Sequence, residues 1–276
     1  MTHEFNRLID TKVHTKMSSE LSFRFRELGK FIAAMLASGQ GRRIVITHLI
    51  NALILAAMLL GLILLGLYGL FEGLIPRRRT LAYSFGGLFL FFTLLPLSMP
   101  FFSFKELFNR IYRRLTRRRL FIDLSRHVFY RPTWNGELSL HLAKANSLLG
   151  EKYRLAAQQT GGRLRNTSRE LGISLARSIR DAVRHSRRLV ERGALKPEQR
   201  ISGATYGYLF GAAKSKLRLR RHQPVWWSRL FSGVFYRYGA MHAVFMYFII
   251  HDSLPPAFDP VYFVASVGDV IGTRGI

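Results

Sequence analysis

The sequence predicts an all-α membrane protein: an N-terminal two-helix transmembrane hairpin followed by a basic helical cytoplasmic domain. Three observations carry that expectation. Two nearly continuous apolar stretches, Ile44 to Ile75 and Leu81 to Phe104, are separated only by Pro76-Arg77-Arg78-Arg79-Thr80. Each is long enough for a membrane helix, which needs roughly 20 apolar residues to cross the hydrocarbon core. The formal net charge of +26 is concentrated after the hairpin, where residues 104–221 hold 28 Lys/Arg against 8 Asp/Glu. Apolar positions within that block recur with helical spacing.

Four segments follow: residues 1–43, an amphipathic cytoplasmic helix; 44–104, the hairpin; 105–221, the basic helical domain; and 222–276, an aromatic region holding a buried or interfacial helix. In the first, Leu21, Phe25, Leu28, Ile32 and Met35 step by four, three, four and three along one face. Ser18 and Ser19 suit its start, and Ser38-Gly39-Gln40-Gly41 suits its end. Arg24, Glu27 and Lys30 fall off the stripe. Such a helix either packs on the rest of the protein or lies in the lipid interface ahead of the first span. The polar N-terminus lacks the basic-then-apolar pattern of a cleavable signal, so the hairpin is expected to act as its own insertion signal.

Ala57, Gly61, Gly69 and Gly73 place small residues along the first span, where they let helix backbones approach closely in lipid. They serve either packing within the hairpin or formation of a homo-oligomer. Glu72, beside the three arginines, reads as a paired carboxylate at the membrane surface. Basic residues flank both outer ends of the hairpin: Arg24, Arg26, Lys30, Arg42 and Arg43 before it, Lys105, Arg110, Arg113, Arg114, Arg117, Arg118 and Arg119 after it. Their excess predicts both termini in the cytoplasm, although Arg77-Arg78-Arg79 in the turn argues the other way. Gly86-Gly87, Pro96 and Pro100 are positions where the second span could kink or re-enter.

Phe104 to Asp123 is expected to continue as helix, with Phe104, Phe108, Ile111 and Leu115 on one face. Arg110, Arg113, Arg114, Arg117, Arg118 and Arg119 are its candidate contacts to anionic phospholipid, each worth about 1 kcal/mol at a charged surface. Tyr130 to Gly136 is a turn-rich break, followed by an expected helix from Glu137 to Gln159 that Gly161-Gly162 ends. Arg163 to Arg192 is the clearest helix of the block. Leu171, Leu175, Ile179, Ala182, Ser186 and Leu189 line one side, and Arg169, Arg177, Arg180, Arg184, Arg187 and Arg188 gather opposite. Gly193 and Lys196-Pro197 terminate it.

Trp226 to Ile250 reads as a helix buried in the domain or anchored at the interface by Trp226 and Trp227. As a third span it would carry Arg237, at about 2.5–3.5 kcal/mol for a central arginine. Pro255-Pro256 breaks it, and Val261 to Ile271 fits a short strand or a final helix.

Catalytic chemistry finds little support. There is no cysteine, so disulfides, thiolate metal sites and cysteine nucleophiles are excluded. The nine histidines show no ligand spacing, and neither a metal nor a cofactor is expected. No GxxxxGK[ST], GxSxG or HExxH occurs, and the few acids leave no converging pair for acid–base work. The chain therefore reads as non-enzymatic.

What remains is the basic block, whose charge calls for an anionic counter-surface. The arginine face of the 163–192 helix suits acidic protein segments, because a guanidinium binds carboxylates bidentately. It could instead lie on anionic lipid. Nucleic acid is the weaker candidate, since no helix-turn-helix or RNP-like aromatic motif is present. In layout the chain resembles inner-membrane subunits of bacterial secretion and conjugation machines, a likeness of architecture that carries over no residue. It implies a scaffold or recruitment subunit in the bacterial inner membrane, among other membrane-complex subunits. Two alternatives stand beside it: a small transporter or pore component with a third span at about residues 230–250, and a membrane-anchored nucleic-acid-binding protein.

Overall fold

The computed structural model describes residues 2–70, 78–98, 100–101, 104–117, 120–133, 135–142, 145–158, 167–207, 211, 214, 217–223, 226–256 and 259–272. Helix α1 (Thr2–Ala37) meets α2 (Gly39–Leu70) at a single bend residue, Ser38. The Ser38 hydroxyl accepts from the Gly41 amide at 2.8 Å, and its carbonyl accepts from Arg42 at 3.0 Å, so the bend caps the second helix. A Cβ at Gly41 would sit 2.1 Å from the Met35 carbonyl oxygen, so the corner is open only to glycine.

Helix α3 (Arg78–Ser98) packs along α2. These are the two helices among the described residues long and apolar enough to cross a membrane, and most of their surface is open. Leu62, Leu65 (70% exposed), Tyr83, Leu90 and Phe91 all face outward. A soluble core helix would bury such side chains, so the exposure points to a membrane location. Glu72 and the Arg77 end of the turn lie outside the described residues. Helix α4 (Phe104–Thr116) ends earlier than the expected Asp123, with Arg117 in the left-handed region at φ 57°.

Beyond α4 the structure departs from an all-α fold. Strands β1 (Ile122–Asp123), β2 (Val128–Pro132), β3 (Leu138–Leu142), β4 (Arg200–Tyr206), β5 (Arg220–Arg221) and β6 (Pro260–Ser266) form one sheet. Its order is β1-β2-β3-β4-β6-β5, with β3 and β4 parallel and the other neighbours antiparallel. The expected helix from Glu137 thus begins as a strand. Leu138-Ser139-Leu140-His141-Leu142 has an alternating pattern, and the helix α5 (Ala145–Ala157) starts only after it. The Val261 to Ile271 stretch is both of its expected alternatives in turn: β6, then a short helix α8 (Val267–Ile271) capped by Ser266 and Asp269.

Helix α6 (Thr167–Glu191) and helix α7 (Trp226–His251) complete the fold. One core joins Phe23, Phe31 and Met35 of α1 to Leu148 and Leu149 of α5, Leu171 of α6, and Val244, Phe245 and Ile249 of α7. The other lies under the sheet, where Tyr130, Leu138, Ile201 and Phe263 meet Ala182 and Val183 of α6. Helix α6 therefore belongs to both cores, its first half to the helices and its second to the sheet. Gly193, at φ 69°, ends it, with the Ala194 amide returning to the Leu189 carbonyl at 2.8 Å.

The α1 face is only in part the one its periodicity suggests, since Leu28 and Met35 of that stripe reach the core and Leu21, Phe25 and Ile32 do not. Phe23, Glu27, Phe31 and Met35 are buried, whereas Leu21, Phe25 (58% exposed), Ile32 and Leu36 (60% exposed) face outward. The packing of α1 on both α5 and α7 selects the Phe23–Phe31 face, and the ion pairs described below accommodate Glu27 within it.

Candidate functional site

The apolar side of α6 holds the helix in place and leaves its arginines outside. Leu171, Ser178, Ala182, Val183 and Ser186 are buried, and the Ser186 hydroxyl donates to the Tyr130 phenol oxygen at 3.4 Å. Arg169, Arg177, Arg180, Arg184, Arg187 and Arg188 are all exposed. At 100° per residue they fall within one arc, and at 1.5 Å rise the run from 169 to 188 extends about 28 Å. Arg184 lies 3.7 Å from Asp181, both exposed, and Arg187 donates to the Ile271 carbonyl at 2.8 Å. Arg177, Arg180 and Arg188 meet no carboxylate among the described residues.

One member of this face escaped sequence reasoning. Ile173, 44% exposed, falls in the middle of the arginine arc by helical angle. Ile173 thus sets one apolar side chain among the guanidinium groups. Its signal was available in the sequence, since Ile173 lies off the Leu171–Leu175–Ile179 stripe.

Both ends of α6 are tethered. At the start, the Ser168 hydroxyl donates to an Asp252 carboxylate oxygen. Asp252 also takes an ion pair from Lys152 at 2.6 Å, and Lys152 reaches Glu27 at 2.8 Å. Lys30 closes on the other Glu27 oxygen at 2.8 Å. Glu27 is 1% exposed and Lys152 is buried, while Lys30 and Asp252 are exposed, so α1, α5, α6 and the end of α7 meet at one ionic knot with a buried Glu27–Lys152 centre. Burial alone would raise the Glu27 and Asp252 pKa values. The Lys152 ammonium outweighs it, aided by Lys30 at Glu27 and by Ser168 at Asp252, and holds both carboxyls below their ordinary values. A second buried carboxylate, Glu151, pairs with Arg126 and Arg154, both at 2.5 Å. Apart from Lys30–Glu27 and Arg154–Glu151, which pair at i,i+3, each pair joins different segments, so no local motif in the chain announced them.

Arg110, Arg113, Arg114 and Arg117 of α4 are exposed, as are Ile111 and Leu115 between them. Arg118 and Arg119 lie outside the described residues. The small residues of the first span that the structure describes with their surroundings, Ala57 and Gly61, lie off the buried face of α2. Ala57 is exposed, a Cβ at Gly61 would meet nothing within 4 Å, and Gly73 lies outside the described residues; Gly69 falls in the last turn of α2. The buried face of α2 is instead Asn51, Ala52, Leu55 and Ala56. Tyr238 of α7 packs there, stacking on His48 at 5.1 Å and donating its hydroxyl to the Phe92 carbonyl of α3 at 2.6 Å.

Among the described residues no three His, Asp or Glu side chains converge as metal ligands would. No protein-family model matches the chain, and no curated protein or solved structure matches it either.

Proposed function

We propose that this protein is a non-enzymatic, membrane-anchored scaffold or recruitment subunit of a multi-protein membrane complex. The hairpin α2–α3 anchors it, and α6 presents a binding face for an acidic protein segment. One observation carries the reading: a row of exposed arginines, three of them without a carboxylate partner among the described residues, on a helix built into both cores. Charge of one sign costs the fold self-repulsion, and a docked acidic partner relieves it. Arginine forks fit carboxylates, and Ile173 supplies an apolar anchor among them. The basic residues flanking the hairpin support both termini being cytoplasmic, the likeness of layout to secretion and conjugation subunits is what favours a bacterial inner membrane, and the α4 arginines support contact with anionic phospholipid.

Replacing Arg169, Arg177, Arg180, Arg184 and Arg188 with glutamate tests the reading and leaves the Arg187 tether intact. Affinity purification in mild detergent should lose the partner while membrane fractionation stays unchanged. Unaltered co-purification by the charge-reversed protein would refute it.

A further inference from the structure

We infer that α1 is an interfacial helix whose outer stripe, Leu21, Phe25, Ile32 and Leu36, lies in the surface layer of the bilayer while its inner face forms the domain core. The inference rests on α2 and α3 being membrane spans, and it goes beyond the arginine face of α6 in placing the domain against the membrane.

The helix has two apolar faces with separate occupants. Phe23, Phe31 and Met35 are buried against α5 and α7, with Phe31 4.8 Å from Phe245 and Phe23 5.5 Å from Tyr153. That face is satisfied within the chain. Leu21, Phe25, Ile32 and Leu36 step by four, seven and four, hence lie on one side, and all four are exposed. Gly29, Ser22 and Ala33 border the stripe, and exposed Arg26 and Lys30 form the next edge around the helix. Apolar centre, small flank and a basic margin at Arg26 are the profile of a helix lying half-sunk in headgroups, with the Arg26 guanidinium reaching the phosphates while Lys30, further round, stays paired with Glu27.

The stripe also adjoins the membrane-spanning elements. Phe25 packs on Phe101 at 4.7 Å between ring centres, and Phe101 lies three residues beyond the end of α3. Arg24, beside the stripe, donates to the Pro100 carbonyl and, at 2.7 Å, to the Asn146 side chain. At its other end α1 turns into α2 through Ser38 alone, and exposed Arg42 and Arg43 stand at that corner. The helix is therefore fixed to the base of both spans, where the bilayer surface begins. Lipid suits this place better than a protein partner because the apolar strip continues toward surfaces that lipid already covers.

The absence of cysteine makes a direct test available. Single cysteines replace Leu21, Phe25, Ile32 and Leu36 in the stripe, Arg26 and Lys30 at its edge, and Leu62 and Leu65 on α2 as lipid controls. The full chain carries a nitroxide at each in turn, in nanodiscs of phosphatidylethanolamine and phosphatidylglycerol. Collisions with oxygen report lipid, and collisions with a water-soluble nickel chelate report water. The expected result is a several-fold preference for oxygen at all four stripe positions and for nickel at 26 and 30. Nickel access at the stripe with oxygen preference at 62 and 65 would overturn the inference alone. Protection of the stripe from both reagents would overturn it in favour of a protein cover. Nickel access at 62 and 65 would remove the span assignment and the inference with it.

Discussion

Lys152 is the side chain on which the most distant parts of the domain depend. Its ammonium answers two carboxylates from residues 125 and 100 positions away, and one of them, Glu27, is enclosed. Removing one partner of a buried pair leaves the other charge unpaired, which costs about 3–5 kcal/mol. Lys152→Met should therefore lower stability by that order, and adding Glu27→Gln should restore much of it. Thermal unfolding of the detergent-solubilised variants measures both, and equal midpoints for wild type and Lys152→Met would contradict the role. Acid should act in the same direction. His127 is buried, and burial first, then the neighbouring Arg126 charge, holds its pKa below the ordinary 6.5. Its unfolded form binds a proton first, so stability is complete above 6.5 and falls as pH drops toward the lowered value. Glu27 and Asp252 have depressed pKa values, so their contribution persists above the ordinary 4.5 and 3.8 and is lost as pH falls through the lowered ones. A midpoint that rises between neutral and acid pH would contradict this sign. His127→Gln should flatten the upper part of the curve only.

The hinge between α1 and α2 makes a sharper demand. Gly41→Ala would place a methyl against the Met35 backbone, where neither side can retreat without opening the corner. A destabilisation of about 1–3 kcal/mol is expected, as for overpacked sites, and an unchanged unfolding midpoint would show that the corner is looser than described. Helices of this kind were the legible part of the chain. The apolar lengths of α2 and α3 and the two-sided pattern of α6 are local signals; they locate the elements, although α2 begins at Gly39 rather than Ile44 and α3 ends at Ser98 rather than Phe104. The strands carry weaker local signals. They have two to seven residues, and β6 finds β4 across an intervening helix, so their pairing is set by contacts that no short window holds. Leu138 to Leu142 alternates as a strand does, but α5 begins three residues later, and the apolar positions of the two elements run together as one helical pattern. In α1 the difficulty was the reverse, an excess of signal. Phe23 and Phe31 compete with Phe25 and Ile32, and only the neighbours of α1 decide which face turns inward.

The whole molecule is strongly polarised. Apolar surface is concentrated on α2 and α3, charge on the domain that follows, and α7 joins the two by packing on α2 and α3 at Tyr238 and on α1 at Phe245 and Phe248. Of the candidate site, the arginine positions were readable from helical spacing. The ionic knot that tethers the helix was not, because its members lie on four elements far apart in sequence. Long-range attraction to an acidic partner implies salt sensitivity, since the Debye length shortens from about 10 Å at 0.1 M to about 3 Å at 1 M salt. Partner capture should weaken steadily over that range, and capture indifferent to salt would speak against arginine–carboxylate docking. The most direct examination places a photo-crosslinking residue at Ile173, amid the arginines, in the full-length protein in its native membrane. Irradiation should yield a discrete protein adduct with an acidic segment, absent when the five arginines are glutamates. Adducts with lipid alone, or a protein adduct that survives the charge reversal, would contradict recruitment through this face.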